Sequence, residues 1–253
     1  MEHAILSEYQ DRFAHVAIRR EEGIIELRLH TDEGPLMWGD GPHSEMGTCF
    51  DLVGQDRENR VVIITGTGDR FMTRIDSSWV GQMTPAKWDR IYYNGKRLLT
   101  NLLNIEVPVI AAVNGPARVH AEIAVLSDIT LASETAEFQD APHFRLGNVP
   151  GDGVHLVWEA LLGPNRGRYF LLTGEKLSAD RALALGVVNE VLPPQLLLNR
   201  AWELAKDLSK QSDTALRYAR VALTHNLRKM FLDGLGYGLA LEGLNAYGAK
   251  WAE

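Results

Sequence analysis

The chain has 253 residues, of which 45% are hydrophobic, 23% are charged and 8% are aromatic. These proportions are close to those of soluble globular proteins and exclude a disordered or fibrous chain. A chain of this length buries roughly 70 to 75% of the surface that it exposes when unfolded, so we expect one main domain. Lys and Arg number 26 against 33 Asp and Glu, and the net charge of -7 argues against a nucleic-acid partner.

Cysteine usage and hydropathy indicate where the protein works. Cys49 is the single cysteine, which rules out an intrachain disulfide and a thiolate metal site and favours a reducing compartment. Residues 1–13 carry three acidic side chains and lack the apolar segment of a secretory signal. No run of about 18 apolar residues occurs, so no membrane span is predicted. We expect a cytoplasmic protein without a membrane partner.

Hydrophobic periodicity predicts the elements of the first part of the chain. Ile25, Leu27 and Leu29 alternate with polar residues, which indicates a strand over residues 23–30 that pairs as a hairpin with residues 15–18. The other predicted elements are a helix at 42–55, a strand at 61–65, a helix from Pro85 that ends before Pro108, a strand at 109–113, a helix at 121–126 and a strand at 128–132. Strands that alternate with helices in this way are typical of a parallel α/β arrangement.

The pattern changes after Gly151 and becomes helical. The predicted helices are 152–162, 165–172, 179–185, 194–209, 214–228 and 233–249. Between them only residues 187–191 look extended. We therefore predict an α/β core over residues 1–195 and a C-terminal helical region over residues 196–253, which packs on the core or on neighbouring subunits.

The loop at residues 138–153 is the best candidate for a site, because the common nucleotide, metalloprotease and serine-hydrolase motifs are missing. It holds one imidazole and two carboxylates before a predicted helix. If Asp152 accepts a hydrogen bond from one ring nitrogen of His143, the other nitrogen is free to take a proton from water. The alternatives are that Asp152 caps the helix and that His143 is an ordinary histidine.

Several segments resemble the crotonase (enoyl-CoA hydratase/isomerase) superfamily, and the likeness extends over nearly the whole chain. They are residues 105–113 with the following Asn-Gly-Pro-Ala, Ser127-Asp128-Ile129, Phe138 and residues 146–151. The resemblance implies an α/β fold in which ββα units form a spiral. It also implies C-terminal helices that make trimers, so we expect a homotrimer or a hexamer built from two trimers.

The site segments depart from the hydratase pattern. In hydratases a Gly-rich segment and an Ala-Gly-Ala-Asp motif supply the oxyanion hole, whereas here residues 118–121 read Arg-Val-His-Ala and residues 73–76 read Thr-Arg-Ile-Asp. The two catalytic glutamates of hydratases fall on Ile123 and His143. We therefore expect neither carboxylate, which disfavours hydration of an enoyl thioester.

These replacements resemble the β-diketone hydrolase branch of the superfamily, which cleaves a carbon–carbon bond of 1,3-diketones in a retro-Claisen reaction without metal or CoA. The residues implied for the site are His143 and Asp152 as the base pair, His120 against a substrate carbonyl, and Trp38, His43 and Glu242 around the pocket. We expect residues 79–83 near this pocket. The expected substrate is a small diketone, with no cofactor and no metal, and the proton for the product carbon can come from His120, His143 or a water held by Glu242.

Other functions stay open at this point. An acyl-CoA hydrolase or isomerase of the same superfamily is one alternative, and a non-catalytic oligomeric relative is another. Three histidines can also bind zinc, although the resemblance supplies no metal. Without the resemblance, Trp38 reads equally well as a core aromatic residue, His43 as part of a first helical turn and Glu242 as part of a solvated helix face.

Overall fold

A computed structural model describes residues 4–79, 81 and 83–248 of the chain. Ala249, the last residue of the final predicted helix, lies outside these residues, as do the outer ends of the predicted regions 1–195 and 196–253. The strands are β1 (Val16–Glu21), β2 (Ile24–Thr31), β3 (Gly34–Trp38), β4 (Val61–Thr65), β5 (Met72–Ile75), β6 (Val109–Val113), β7 (Ile129–Ser133), β8 (Glu137–Phe138), β9 (Leu177–Ser178) and β10 (Glu190–Leu192). The helices are α1 (Leu6–Tyr9), α2 (Asp40–Gln55), α3 (Pro85–Asn104), α4 (Glu122–Val125), α5 (Val154–Leu162), α6 (Pro164–Thr173), α7 (Ala179–Ala184), α8 (Pro194–Leu208) and α9 (Asp213–Gly248).

The main sheet is mostly parallel. Within the described part of the chain it has eight strands in the order β10-β7-β6-β4-β2-β3-β5, with β1 paired to β2. From β10 through β7, β6 and β4 to β2 each neighbouring pair is parallel, whereas β2 pairs antiparallel with β3 and forms an antiparallel hairpin with β1. The predicted α/β class and the predicted hairpin are therefore confirmed.

Strand β4 shows why the central strands read as continuous apolar runs. All five of its residues are buried. Val61 and Ile63 belong to a cluster on one face of the sheet that includes Leu197 of α8, while Val62 and Ile64 belong to the larger core on the other face. Both faces of a parallel sheet are covered, so polar residues have no place on either side.

The C-terminal part differs from the prediction. Residues 214–228 and 233–249 are predicted as two helices, but α9 is one continuous helix of 36 residues. The glycines in its second half do not end it, because they are sites of close packing. A Cβ atom at Gly234 would lie 2.8 Å from Leu156, and one at Gly243 would lie 2.2 Å from the indole of Trp88.

Helix α9 packs on α3 and α5 of the same chain. The predicted boundary at residues 195–196 lies in the first turn of α8, and the division into two regions stays a prediction. No helix among the described residues is long and apolar enough to cross a membrane.

Candidate active site

A cavity of about 190 Å³ lies where the ends of β3 and β5 meet α2, α3 and α9. Its apolar lining consists of Trp38, Ile75, Trp79, Met83, Trp88, Ile91, Leu98, Leu146 and Leu239. Within the predicted segment 79–83, residues 79, 81 and 83 line the cavity, and residues 80 and 82 lie outside the described part of the chain. The described lining contains no Lys or Arg, which favours a compact ligand without phosphate groups.

His143 lies at the turn before the short 3₁₀ helix Phe144–Leu146 and is buried. Its Nδ1 is 2.6 Å from Oδ1 of Asp140, three residues earlier. Asp140 is buried as well, so this hydrogen bond is protected from water. The contact fixes the orientation of the ring, and Nε2 faces the cavity side, where Asp152 and Glu242 lie.

Asp152 lies directly before α5 and between two imidazoles. Its Oδ2 is 3.4 Å from Nε2 of His143 and 3.6 Å from Nδ1 of His120. Helix α5 begins at Val154 with Gly153 as its N-cap residue, so Asp152 is not the cap.

A close backbone contact holds the Asp152 loop against α9. A Cβ atom at Gly151 would lie 2.2 Å from the carbonyl oxygen of Gly238, a distance that no real side chain tolerates. Glycine at both positions therefore lets the loop touch α9, and this contact brings Asp152 close to Glu242.

His120 lies between Trp38 and a buried carboxylate. Its Nδ1 is 2.5 Å from Oε1 of Glu122, a residue with no exposed surface. The ring is tilted against Trp38, with 4.0 Å between the ring centroids. Within the described residues, Nε2 of His120 and the indole N–H of Trp38 make no hydrogen bond, and both side chains line the cavity. The indole N–H of Trp38 and Nε2 of His120 are therefore both available to a ligand.

Glu242 projects from α9 into the cavity. Asn148 donates a hydrogen bond of 3.2 Å to its Oε1, and the same oxygen is 3.8 Å from Nε2 of His143. Its Oε2 is buried and has no hydrogen-bond partner among the described residues. Burial first, and the negative charge of Asp152 second, raise the pKa of Glu242 to about 8. Near neutral pH this side chain is a carboxylic acid.

The three histidines of the site differ in charge. Burial on its own lowers the pKa of His143, but the charges of Asp152 and Asp140 outweigh it and raise this pKa well above the usual value. Burial and the charge of His120 lower the pKa of His43 to about 3, so His43 is neutral. Burial on its own raises the pKa of Asp152, yet the positive charge of His143 brings it well below its usual range. His143 and Asp152 therefore form an ion pair in the resting protein.

Comparison with known proteins shows the family. Residues 19–235 match the sequence profile of the family described as enoyl-CoA hydratase/isomerase. The chain belongs to this enoyl-CoA hydratase/isomerase family. A short-chain-enoyl-CoA hydratase from Clostridium acetobutylicum is 29% identical over 226 residues, which cover 88% of this chain and 82% of that protein. A carnitinyl-CoA dehydratase from Citrobacter koseri is 35% identical over 176 residues, which cover 68% of this chain and 66% of that protein.

Solved structures from the same family share the fold. A β-diketone hydrolase from the cyanobacterium Anabaena, bound to (S)-3-oxocyclohexyl acetic acid, has 50% sequence identity and a TM-score of 0.93, with 95% of this chain and 97% of that chain covered. An enoyl-CoA hydratase/isomerase from Mycobacterium paratuberculosis has 25% identity and a TM-score of 0.88, with 95% and 96% covered. The crotonase-type fold and the resemblance to the β-diketone hydrolase branch are thus confirmed.

All six residues that the sequence suggests for the site of this enoyl-CoA hydratase/isomerase family member line one cavity. They are Trp38, His43, His120, His143, Asp152 and Glu242. The roles given to them stay predictions. The structure adds Asp140, Glu122 and Asn148, which sequence reasoning missed. Asp140 and Asn148 lie in the predicted site loop at 138–153, and their closeness in sequence to His143 is the feature that could have identified them.

One expectation about the site is corrected, and one carboxylate is added to it. Nδ1 of His143 is bonded to Asp140, so the pairing with Asp152 does not leave the other ring nitrogen free. The first hydratase glutamate falls on Ile123, where no carboxylate is expected, but Glu122 places a buried carboxylate against His120 one residue earlier. The chemistry of the site must therefore be derived from four carboxylates and not from two.

Among the residues that the structure describes, two groups of side chains have the composition and spacing to hold a metal ion. They are His120 with Glu122 and Asp152, and His143 with Asp152 and Glu242, and the ligand atoms of each group lie within 4.8 Å of one another. Both groups share Asp152, so an ion bound at either would occupy side chains that line the cavity.

Proposed function

We propose that the protein is a hydrolase that cleaves a carbon–carbon bond of cyclic 1,3-diketones in a retro-Claisen reaction, without metal or CoA. The observation that carries this proposal is the convergence of His143 Nε2, Asp152 Oδ2 and Glu242 Oε1 at one wall of an apolar cavity. A water molecule in contact with Nε2 also contacts the two carboxyl groups. The β-diketone hydrolase with 50% identity supports the same reaction class.

The first step is the attack of water on one ketone. The active form is the one in which the resting ion pair has released its proton to solvent. Neutral His143 then accepts a proton from water at Nε2 while the oxygen–carbon bond forms. Asp140 keeps Nδ1 protonated, so that Nε2 carries the lone pair. Asp152 stabilises the imidazolium that results, because its oxygen is 3.4 Å from Nε2.

The second step is the collapse of the tetrahedral oxyanion. The indole N–H of Trp38 and Nε2–H of His120 are positioned to donate hydrogen bonds to this oxygen, and one such donor typically contributes about 3 to 4 kcal/mol. The bond to the central carbon then breaks, and its electron pair becomes an enolate that the second carbonyl stabilises. The apolar walls exclude bulk water, which strengthens these interactions.

The last step returns a proton to carbon. Glu242 is a carboxylic acid near neutral pH, and its Oε2 has no other partner among the described residues. It can therefore protonate the enolate carbon, directly or through a water, and recover its proton from the imidazolium of His143, 3.8 Å away. In total, one diketone and one water molecule give one keto acid.

The substrate class follows from the same chemistry. A cavity of about 190 Å³ without Lys or Arg in its described lining suits a compact, neutral ring. A bicyclic diketone whose two carbonyls flank one bridgehead gives, on hydrolysis, a ring ketone with a carboxymethyl group. The ligand bound to the Anabaena hydrolase belongs to this class of keto acid.

A panel of monocyclic and bicyclic 1,3-diketones tests the proposal. One carboxylic acid should appear per diketone consumed, with loss of enol absorbance for the monocyclic substrates, and reaction in H₂¹⁸O should place one heavy oxygen in that acid. Turnover of no diketone in the panel would exclude this function.

An acyl-CoA hydrolase or isomerase is the second candidate. The names of the curated relatives and the buried carboxylate of Glu122 favour it. Calorimetry with short-chain acyl-CoA esters separates the two, because the diketone proposal expects no binding.

We also propose that the protein assembles as a trimer or as a pair of trimers and works in the cytoplasm without nucleic-acid or membrane partners. Several large apolar side chains of α9 are exposed, among them Leu223 at 82% and Leu232 at 83%, which supports burial against other copies of the chain. Sedimentation analysis of the full chain checks the assembly.

A further inference from the structure

We propose that Glu122 is a positioning residue of this site: its carboxylate holds Nδ1–H of His120, so that Nε2 presents an N–H to the carbonyl oxygen of the substrate. This inference rests on the proposed function and adds a residue to it. Glu122 itself lies behind His120, does not line the cavity and is argued to act only through the imidazole.

The contact between the two side chains is short and enclosed. Oε1 of Glu122 is 2.5 Å from Nδ1 of His120, and no part of Glu122 is exposed. The second carboxylate oxygen, Oε2, is buried without a partner among the described residues. A buried carboxylate is costly unless a charged partner compensates it, and His120 is the partner that the structure provides.

The backbone at His120 adopts an unfavourable conformation, which supports a functional role for this residue. His120 has a φ of +46°, in the left-handed region that side chains with a Cβ atom disfavour. The orientation of the ring is nevertheless fixed, because Glu122 is hydrogen-bonded to Nδ1 and the indole of Trp38 packs against the ring with 4.0 Å between the centroids. Strain of this kind persists only where surrounding contacts fix it, and it concentrates at functional sites.

The charge of His120 decides whether it can donate. If the ring were neutral with its proton on Nδ1, Nε2 would be an acceptor and would repel an oxyanion. Burial alone lowers the pKa of His120, but the carboxylates of Glu122 and Asp152 outweigh burial and the opposing charge of His143, and the pKa is raised. His43 and Glu242 also face this charge, and both are neutral near pH 7. Burial raises the pKa of Glu122 as well, against the charge of His120. Both shifts favour the state in which one proton lies in the 2.5 Å contact between Oε1 and Nδ1 while Nε2 keeps its own proton, and in that state Nε2 is a donor.

Glu122→Gln keeps the size of the side chain and removes its charge. We expect the ring carbon and proton signals of His120 in NMR to titrate at lower pH in E122Q than in the wild type. With a cyclic diketone, we expect kcat to fall roughly 10- to 100-fold and KM to change less. The alkaline loss of activity should begin at a lower pH in E122Q than in the wild type. A purely structural role for Glu122 would lower thermal stability but leave the pH profile where it is.

Glu45→Gln is the matched control, because Glu45 pairs with Nδ1 of His15 at 3.1 Å outside the cavity. We expect kcat and the pH profile of E45Q to match the wild type. If E122Q does not fold, Glu122→Asp keeps the charge and shortens the side chain, and it should preserve the titration of His120 while lowering kcat.

The outcomes separate this inference from the proposed function. An unchanged His120 titration in E122Q, or an unchanged pH profile of turnover, overturns the role of Glu122. If the wild type hydrolyses no diketone, the proposed function fails instead, and the NMR titration of the wild type and E122Q still decides whether Glu122 sets the charge of His120.

Discussion

Oδ1 of Asp140 lies 2.6 Å from Nδ1 of His143, and this contact determines which ring nitrogen faces the cavity. Asp152 then meets Nε2, at 3.4 Å, on the side that faces the cavity. The imidazole thus has one carboxylate that orients it and a second that responds to its charge. This arrangement divides between two residues the work that a single orienting carboxylate does in a simple triad.

Asp140→Asn should change the pH dependence of hydrolysis. Asp140 is one of two anions that raise the pKa of His143, so its removal lowers that pKa and moves the rising limb of kcat/KM to lower pH. The amide can also donate to Nδ1 and favour the wrong tautomer, which should lower kcat by about 10²- to 10⁴-fold. A pH–rate profile of D140N that overlays the wild type would contradict this role.

The residues of the site could be predicted better than their contacts. The loop at 138–153 pointed to His143 and Asp152, but the pairing of His143 with Asp140 depends on the turn between them, and residue types do not specify that turn. Glu122 is not predicted from the sequence, because the hydratase pattern places the first glutamate at Ile123, its neighbour. One residue of offset in a short helix decides which side chain faces His120.

The fold shows the same division between pattern and packing. Strands such as Val61–Thr65 are buried on both faces, so their composition alone predicts them. The strands Gly34–Trp38 and Met72–Ile75 are short and carry exposed residues, and they form because they pair with each other. The sequence predicts two helices in place of α9 because glycine usually weakens helices. Here Gly238 and Gly243 instead permit close contact with Gly151 and Trp88.

Removal of either member of the central ion pair should abolish hydrolysis. In His143→Ala the base is lost, and in Asp152→Asn the developing imidazolium loses its counter-charge, so we expect kcat to fall by about 10²- to 10⁴-fold in each. His225→Ala is the matched control, because His225 is exposed and does not line the cavity. Near-ultraviolet circular dichroism checks the fold of each variant. Turnover close to the wild type in H143A and D152N would exclude this base.

Glu242→Gln should raise the thermal stability of the protein and lower its activity. The pKa of Glu242 is about 8 in the folded chain and 4.5 in a free side chain, so the folded state keeps a proton that the unfolded state loses between these values. The free energy of unfolding therefore falls as the pH rises from 4.5 to 8. E242Q lacks this penalty, and its Tm should exceed that of the wild type by more at pH 9 than at pH 5.

The same substitution removes the proposed proton donor, so kcat of E242Q should fall while the Tm difference grows. Thermal unfolding at the two pH values and steady-state rates measure both effects. A Tm difference that does not depend on pH would mean that Glu242 is ionised in the folded chain.

Metal ions should inhibit the reaction instead of supporting it. Of the two groups of described side chains that can bind an ion, one consists of the proposed base, its partner carboxylate and the proton donor, and the other shares Asp152 with it. We expect dialysis against a chelator to leave kcat unchanged and added Zn²⁺ to lower it, with less inhibition at low pH because protons compete for His143. Loss of activity on chelation, restored by one metal, would require a different mechanism.

Gly151→Ala should disrupt the site without replacing any of its side chains, because the added Cβ atom would also lie 2.9 Å from Cβ of Glu242. Its Cβ atom would lie 2.2 Å from the carbonyl oxygen of Gly238, so the loop and α9 must move apart and separate Asp152 from Glu242. We expect kcat to fall at least 10-fold, since misplacement by about 1 Å can cost two orders of magnitude. Gly186→Ala is the control: Gly186 has a φ of +75° but open space around its Cβ position, so only backbone strain of about 1 kcal/mol is expected. A G151A enzyme with the rate of G186A would show that the loop and the helix position the site independently.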